Sequence, residues 1–388
     1  MKAFAFKLEN SPSERPLITR STDGKIPCLD GLRALAAFEV IFFHSFPHIS
    51  VLGSAYGMLW NIPSVAYAGV DLFFVLSGFL IGGILFDQRH AKNYYQTFYL
   101  RRALRILPLY YFLVVTYAGL RSVNHEILKF PLFQDPLPLW TYFLHVQNIA
   151  MVVFVTWGPR WLAASWSLAI EEQFYLLLPP IVRNVQPKTV FKIAIAAFLV
   201  SLFGRFTIDR WHYGGTIARS VLFPFCLDGI SVGVVIAYLF RFEPELILKY
   251  RELITKRLLP LLLLAAIMVG LTFNFFIRFN FLQHSFNTLT FGAVLITLLL
   301  NPEGKAARIL SHPISRFHGN LSYGLYLLHP ICLHAAFYFL KGTEPQLGTF
   351  GDLWPITVSL ASAYLAALIS WKVLETPCMS LGKRFRYK

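Results

Sequence analysis

Charged side chains are scarce in this chain: they make up only 14% of its 388 residues, whereas hydrophobic residues make up 56%. The mean hydropathy is accordingly high, at +0.55. This balance excludes a soluble domain and predicts a polytopic membrane protein. Lys and Arg outnumber Asp and Glu, for a net charge of +15, but they cluster between the apolar stretches. The positive-inside distribution of membrane proteins explains this pattern, so we predict no nucleic-acid partner.

Cysteine is also rare, and no leader peptide is evident. The four cysteines show neither metal-ligand spacing nor a disulfide framework, so we predict no metal site and no permanently bound cofactor. The first thirty residues contain no apolar segment and no small-residue cleavage site. We therefore expect residues 1–25 to form a cytoplasmic tail and not a signal peptide.

Long apolar stretches are what the sequence has in abundance. Each is near the length that crosses about 30 Å of hydrocarbon in helical form. No internal repeat or low-complexity tract divides the chain, so we predict one all-α membrane helix bundle over 26–377. The eleven stretches are 31–46, 66–86, 103–120, 138–156, 166–182, 189–204, 217–240, 258–276, 284–300, 320–340 and 354–374.

The basic residues predict the orientation of these stretches. Lys and Arg cluster in the N-terminal tail, in 87–105 and in a basic C-terminal tail at 378–388, whereas 47–65 contains none. Both termini are therefore predicted to be cytoplasmic, which requires an even number of crossings. We predict about ten transmembrane helices, so one stretch does not cross fully. The candidates are 138–156, which polar residues interrupt, and 166–182, which carries two glutamates.

Two ionisable residues in the first stretch predict a functional site. Arg33 and His44 are eleven residues apart. This spacing is about three helical turns, so both side chains should lie on one face, roughly 16 Å apart along the axis. Hydrocarbon penalises ionisable groups by several kcal/mol, so such residues often mark sites. The alternative is a snorkelling arginine and a histidine that is hydrogen-bonded within the bundle.

Polar residues also interrupt the next two stretches. Asp71 and Ser77 lie within the apolar, glycine-containing segment 69–83. A helix cap for Asp71 and a backbone hydrogen bond for Ser77 are the alternatives to a catalytic role. Arg102 and Arg105 are three residues apart, on one helical face. Two guanidinium groups so placed can bind phosphate, and ordinary positive-inside anchoring is the alternative.

Two later stretches carry polar residues as well. Glu171 and Glu172 would be costly in lipid unless one of them pairs with a cation or faces water. The alternative to a role in a site is a structural ion pair with an arginine. Tyr323, Tyr326 and His329 interrupt another apolar stretch. For His329, a histidine hydrogen-bonded within the bundle is the favoured interpretation.

Taken in order, seven segments of the chain resemble the acyltransferase-3 family of integral membrane O-acyltransferases. Each segment is a weak signal alone, but their order across nearly the whole chain is specific. The segments are IPCLDGLRALAAFEVIFFH at 26–44, GVDLFFVLSGFLI at 69–81, FYLRRALRILPLYY at 98–111, WSLAIEEQFYLLLP at 166–179, LDGISVG at 227–233, LSYGLYLLH at 321–329 and LETP at 374–377.

The resemblance implies an enzyme that moves an acyl group, most often acetyl from acetyl-CoA, to a hydroxyl of a carbohydrate. It implies that His44 is catalytic and that Arg33 is its partner in an Arg-x10-His pair. Arg102 and Arg105 match an Arg-x-x-Arg pair that is implicated with the acyl donor. Glu171 matches the glutamate of a WSLxxE motif. Some family members carry an additional C-terminal hydrolase-like domain, which we expect this chain to lack because it ends eleven residues past LETP.

A mechanism follows from these residues and from the resemblance. Neutral His44 is predicted to act as a general base on the acceptor hydroxyl, either directly or by stabilising a transient acyl intermediate. Glu171 or Asp71 is predicted to orient its imidazole or to stabilise the imidazolium cation. We expect Arg33 and His44 to face one cavity, with the two arginines of the Arg-x-x-Arg pair at its cytoplasmic mouth. Glu171 should lie within hydrogen-bond reach of an arginine, a tyrosine or a histidine in that cavity.

The sequence also predicts which residues support the site and in which membrane the enzyme acts. Ser77, Trp166 and Tyr323 are predicted to support the site. The enzyme is expected in the inner (plasma) membrane, with acyl-CoA as cosubstrate and a surface polysaccharide or related glycan as acceptor. The alternative is a polytopic transporter of an anionic or sugar-linked substrate, in which intramembrane charges would line the path.

Overall fold

The computed structural model describes residues 26–46, 68–123, 130–211, 215–264 and 280–388. Every regular element in these ranges is helical, which confirms the all-α prediction. The helices are α1 Pro27–Ser45, α2 Gly69–Gln88, α3 Tyr94–Val123, α4 Leu139–Phe143, α5 Gln147–Val153, α6 Trp166–Asn184, α7 Pro187–Trp211, α8 Gly215–Val221, α9 Leu227–Phe242, α10 Pro244–Lys249, α11 Asn280–Leu300, α12 Lys305–Ser311, α13 Pro313–Lys341, α14 Leu353–Ser370 and α15 Thr376–Gly382.

Six helices in the described ranges are long and apolar enough to cross a membrane by length and composition. Two further helices, α1 and α6, have 19 residues each but carry three charged side chains apiece. Four of the nine predicted site residues lie on these two helices: Arg33, His44, Trp166 and Glu171. The number of ten crossings and the cytoplasmic position of both termini remain predictions. The six helices are Gly69–Gln88, Tyr94–Ser122, Pro187–Ile208, Leu282–Leu300, Pro313–Lys341 and Phe350–Gly382.

The apolar stretch 138–156 is broken into α4 and α5, whereas 166–182 lies within the continuous helix α6. The break passes through His145, whose φ of 54° is left-handed. Gln147 and Asn148 are fully buried and donate to backbone carbonyls elsewhere in the chain, at 2.8 and 3.1 Å. The polar residues that interrupt this stretch therefore bond to backbone carbonyls at the ends of other helical elements, as apolar surroundings require.

Close helix crossings at glycine hold the centre of the bundle together. Helix α2 packs along α9, and α1 packs against α13. A Cβ on Gly78 of α2 would lie 2.1 Å from the carbonyl oxygen of Ile230 in α9. A Cβ on Gly319 of α13 would lie 1.9 Å from the carbonyl oxygen of Asp30 in α1. Only glycine permits such approaches, which are typical of membrane helix interfaces.

Large apolar side chains cover the outside of the bundle. Phe112 on α3, Leu176 on α6, Phe203 on α7 and Leu365 on α14 are each more than half exposed. In water, so much apolar surface would drive association, whereas lipid solvates it without cost. The fold is therefore that of a multi-pass membrane protein.

The final segment of the chain folds back on the connection between α2 and α3. A π-helical turn, Trp371–Glu375, links α14 to α15. Beyond α15, the Lys388 carbonyl accepts a hydrogen bond from the Lys92 amide at 2.7 Å, and the Lys388 amide donates to the Asn93 carboxamide at 2.8 Å. The region predicted as a basic tail at 378–388 is thus partly helix and partly a segment docked on the bundle.

Candidate functional site

Two adjoining cavities lie at the end of the bundle where α1 begins. The larger, the basic cavity, has a volume of about 540 Å³ and is bounded by α1, α2, α3, α9, α13, α15 and the π-helical turn. The smaller, the inner cavity, has a volume of about 110 Å³ and lies deeper, between α1, α2, α3, α6 and α13. The residues that line both cavities are Arg33, Leu80, Arg102, Arg105, Ser322 and Tyr323.

The basic cavity has an excess of positive charge. Two of its cations are paired: Arg33 with Asp30 at 3.1 Å, and Arg241 with both carboxylate oxygens of Asp87 at 2.7 and 2.9 Å. The cavity has four further cations, and within the described ranges no carboxylate lies at ion-pair distance from any of them. Unpaired guanidinium and ammonium groups around one cavity suit an anion that carries several phosphates. The cationic lining residues are Arg33, Arg101, Arg102, Arg105, Arg241 and Lys383.

A chain of hydrogen bonds runs along the inner cavity. The Tyr175 hydroxyl donates its one hydrogen to the Glu171 carboxylate at 3.2 Å. The Ser77 hydroxyl lies 3.1 Å from the Tyr175 hydroxyl oxygen, and it must therefore be the donor of that second bond. The predicted proximity of Glu171 to a tyrosine in this cavity is confirmed. The Tyr323 hydroxyl instead donates to the Ile106 carbonyl at 2.6 Å, which fixes α13 against α3.

His44 lies beyond the inner cavity, against a second histidine. Its Nδ1 is 2.8 Å from the Val40 carbonyl oxygen and 3.2 Å from Nε2 of His329. His329 in turn places its own Nδ1 3.1 Å from the Leu325 carbonyl oxygen. The sequence identified His329 only as a histidine hydrogen-bonded within the bundle. That description is accurate, but the residue it meets is His44.

Arg33 and His44 both project from α1 towards α13, although they do not line one cavity. Arg33 lines both cavities beside Ser322 of α13, whereas His44 lines neither of the two. Tyr326 occupies the intervening space: it lines the inner cavity, and its ring centroid is 6.2 Å from that of His329. The Tyr326 hydroxyl is 2.7 Å from that of Ser167, so this side chain forms the end wall of the inner cavity.

Neither of the carboxylates expected to orient His44 is bonded to it. Asp71 accepts hydrogen bonds from His284 Nδ1 and from the Asn287 carboxamide, both at 3.0 Å and both from α11. Glu171 is bonded to Tyr175, on its own helix. The expected carboxylate–imidazole pair is therefore replaced by an imidazole–imidazole pair, and Asp71 joins α2 to α11.

The three residues predicted to support the site occupy different positions. Ser77 and Tyr323 line the inner cavity. Trp166 lines neither cavity and is 8% exposed, with its ring edge-on to Phe74 at 6.4 Å. Because Phe74 lines the inner cavity, Trp166 packs on the wall of the cavity without lining it, and its supporting role stays a prediction.

Comparison with known proteins accounts for this arrangement of motifs. The family model described as an acyltransferase domain, that of the acyltransferase-3 family, matches residues 26–372. The chain belongs to the acyltransferase-3 family.

Two relatives of this acyltransferase-3 chain are O-acetyltransferases by name. A peptidoglycan O-acetyltransferase OatA of Listeria monocytogenes serovar 1/2a is 29% identical, over 94% of this chain and 57% of the relative. An O-acetyltransferase OatA of Staphylococcus aureus (strain NCTC 8325 / PS 47) is 26% identical, over 92% of this chain and 58% of the relative. The chain therefore spans less than two thirds of these relatives. No solved structure matches it.

The structure adds residues that sequence reasoning overlooked. Glu375, from the LETP segment of this acyltransferase-3 chain, lies in the π-helical turn, lines the basic cavity and accepts a hydrogen bond from Ser370 at 2.8 Å. π-Helical turns recur at functional sites. The glutamate of the LETP segment, which already formed part of the family resemblance, could have been proposed as a site residue from the sequence. Arg241, Lys383 and Tyr387 also line this cavity. No local pattern distinguishes them, because Arg241 comes from α9 and the other two from the C-terminal segment.

Proposed function

We propose that this protein is a membrane O-acyltransferase that moves an acetyl group from acetyl-CoA to a hydroxyl of a carbohydrate. The observation that supports this most directly is the wide, strongly basic cavity that continues into a narrow one. Acetyl-CoA has the matching shape: a nucleotide end with three phosphates, joined to its thioester by a long thin arm. The names of both relatives favour acetyl as the group transferred, and the name of the Listeria relative favours a glycan acceptor such as peptidoglycan.

In this proposal the donor enters by its thioester end. Arg102 and Arg105, with Arg33, contact the phosphates near the junction of the cavities, while the arm extends into the inner cavity. The chain of Ser77, Tyr175 and Glu171 then lies beside the arm. We place the basic cavity on the cytoplasmic side of the plasma membrane, where acyl-CoA is available and where positive charge accumulates.

The hydrogen bonds around His44 determine which nitrogen can act as a base. Carbonyl oxygens only accept hydrogen bonds, so Nδ1 of His44 and Nδ1 of His329 must each carry a hydrogen. Nε2 of His329 is then an acceptor, and it faces Nδ1–H of His44. This arrangement leaves the lone pair of neutral His44 on Nε2, which is the form that a general base requires.

The transfer step proceeds at that nitrogen. Nε2 of His44 takes the proton of the acceptor hydroxyl as the hydroxyl oxygen bonds to the thioester carbonyl carbon. The carbon–sulfur bond then breaks, and the departing CoA thiolate takes the proton from His44, so that acyl ester and CoA thiol are the products. Because Tyr326 stands between the inner cavity and the histidine pair, its ring must turn away from Ser167 for the thioester to reach His44.

A direct assay tests the proposal. Purified protein in detergent is incubated with acetyl-CoA labelled in the acetyl group and with peptidoglycan fragments or other glycans. We expect labelled ester and free CoA thiol to appear in equal amounts and only when acceptor is present. A transporter would instead carry its substrate into proteoliposomes without cleaving the thioester, which would contradict the proposal.

We predict that both arginines of the Arg-x-x-Arg pair bind the donor. Arg102→Ala and Arg105→Ala should each raise the Kd for acetyl-CoA by about tenfold to hundredfold, because a hydrogen bond to a charged group contributes about 1.5–3 kcal/mol. Lys should restore little of this affinity, since it lacks the planar guanidinium fork. Isothermal titration measures Kd, with Arg251→Ala, which lies outside both cavities, as the control. Lys variants with wild-type affinity would leave interfacial anchoring as the better explanation.

We predict that His329 positions His44. His329→Leu should lower kcat and shift the pH profile, because Nδ1–H of His44 loses an acceptor that also stabilises the imidazolium formed during transfer. His329→Gln should retain more activity, since its carboxamide oxygen can accept the same hydrogen bond. The matched control is His318→Leu, because His318 makes the same bond to the carbonyl four residues earlier on α13, but its Nε2 faces Tyr364 and not His44. Equal losses in the Leu and Gln variants of His329 would show a packing role only.

A further inference from the structure

The last residues of the described chain form one wall of the basic cavity. Lys383 and Tyr387 line the cavity directly. The backbone that carries them is held in place by Asn93, whose side chain donates to the Arg386 carbonyl and accepts from the Lys388 amide, both at 2.8 Å. A bond from the Lys92 amide to the Lys388 carbonyl adds a third attachment. This wall is therefore an ordered part of the cavity.

Tyr387 presents its ring beside cationic groups. The Arg101 guanidinium carbon lies 5.9 Å from the centroid of the Tyr387 ring, and both residues line the basic cavity, as does Lys383. None of the three lines the inner cavity. An aromatic face next to two cations, in the wide part of a site, has the chemistry that binds a nucleotide: the ring stacks on the base, and the cations contact phosphate.

The other aromatic residues of the basic cavity are less suited to this role. Phe79 and Phe98 are 2% and 1% exposed, so their faces are not available. Tyr323 belongs equally to the inner cavity. Trp371 packs edge-on against Phe317 at 5.9 Å and is the nearest competitor.

We propose that the segment 383–388 binds the nucleotide end of the acyl donor, with the adenine stacked on Tyr387 and with Arg101 and Lys383 contacting phosphate. This inference rests on the proposed function, because it assumes that the basic cavity holds acyl-CoA. It adds that the adenine binds at the C-terminal segment, far from the reacting thioester. Because hydrogen bonds hold the segment in place before the donor arrives, little ordering is needed on binding.

The test compares ligands with and without the nucleotide. Tyr387→Ala should raise the Kd of adenosine 3′,5′-bisphosphate and of CoA by about tenfold to hundredfold, the usual effect of removing a base-stacking ring. It should leave kcat/KM for acetyl-phosphopantetheine, which has no adenosine, unchanged. Tyr387→Trp should keep wild-type affinity for both nucleotides. The matched control is Tyr250→Ala, because Tyr250 has Lys249 over its ring at 5.5 Å but lines neither cavity.

The outcomes separate this inference from the proposed function. An equal loss with acetyl-CoA and with acetyl-phosphopantetheine would overturn the inference, and so would a nucleotide-specific loss in Trp371→Ala but not in Tyr387→Ala. If the wild-type protein binds nucleotide but transfers no acetyl group, the proposed function fails. The titrations of adenosine 3′,5′-bisphosphate still decide the role of Tyr387 in that case. Thermal unfolding in detergent verifies that each variant is folded.

Discussion

His44→Ala is expected to lower turnover by about 10²–10⁴, the usual effect of removing a general base. The substitution removes the only nitrogen of the histidine pair that the surrounding hydrogen bonds leave free to take a proton. Stability should change little, because the His44 side chain is only partly buried and the Val40 carbonyl it faces lies within α1, where the helix already provides a backbone donor. Single-turnover acetyl transfer at saturating acetyl-CoA measures the effect.

The control for this prediction is donor binding. The Kd for acetyl-CoA should be the same in His44→Ala as in the wild type, since His44 lines neither cavity. Near-normal turnover in the purified variant would remove His44 from the mechanism. A loss of donor affinity equal to the loss of rate would place His44 in the donor site instead.

Breaking the buried ion pair between Arg205 and Asp228 is expected to have the largest effect on stability. Arg205 of α7 and Asp228 of α9 are 1% and 2% exposed, and Ser285 of α11 contacts both. Arg205→Leu leaves the Asp228 carboxylate buried without its cation. Removing one partner of a buried ion pair typically lowers the free energy of unfolding by about 3–5 kcal/mol. We expect a lower midpoint of thermal unfolding and a reduced yield of monodisperse protein by size exclusion in detergent.

A double variant distinguishes charge from packing. Arg205→Met with Asp228→Leu removes both charges and should recover much of the stability lost in either single variant. The matched control is Lys256→Leu, which breaks a pair that is 70% and 79% exposed and should change stability little. A double variant less stable than both single variants would show that the hydrogen-bond network, and not the charge balance, holds the three helices.

The sequence predicted the helical class and part of the clustering of polar residues, because both follow from local patterns. The energetic cost of charge in lipid was sufficient to predict that Arg33, Arg102 and Arg105 line one cavity, as they do in the structure. It also identified 138–156 as one of two stretches with a defect. It could not choose between them, because the polar groups of 138–156 are satisfied by partners such as Ser165 and Val221, far along the chain.

The partners of individual side chains were beyond prediction for the same reason. Asp71 and His284 are separated by 213 residues, and His44 and His329 by 285. Because catalytic histidines often pair with a carboxylate, the sequence suggested a carboxylate beside His44. Helix α13, which packs on α1, instead places the imidazole of His329 beside it. Likewise, Tyr387 belongs to a tail that shows only its basic character in the sequence. The position of this tail depends on the hydrogen bond between the Lys388 amide and Asn93, which are 295 residues apart.

The bond between Tyr326 and Ser167 has an electrical consequence. In the proposed orientation, the basic cavity opens to the cytoplasm, and the end wall at Tyr326 separates it from the histidine pair. An acetyl group that passes this wall on the donor arm fills the opening it uses. While the group fills that opening, we expect no continuous column of water to join the two sides, and therefore no passage of protons or ions. Under the proposed function, acyl groups would cross the bundle while the membrane around it keeps its potential.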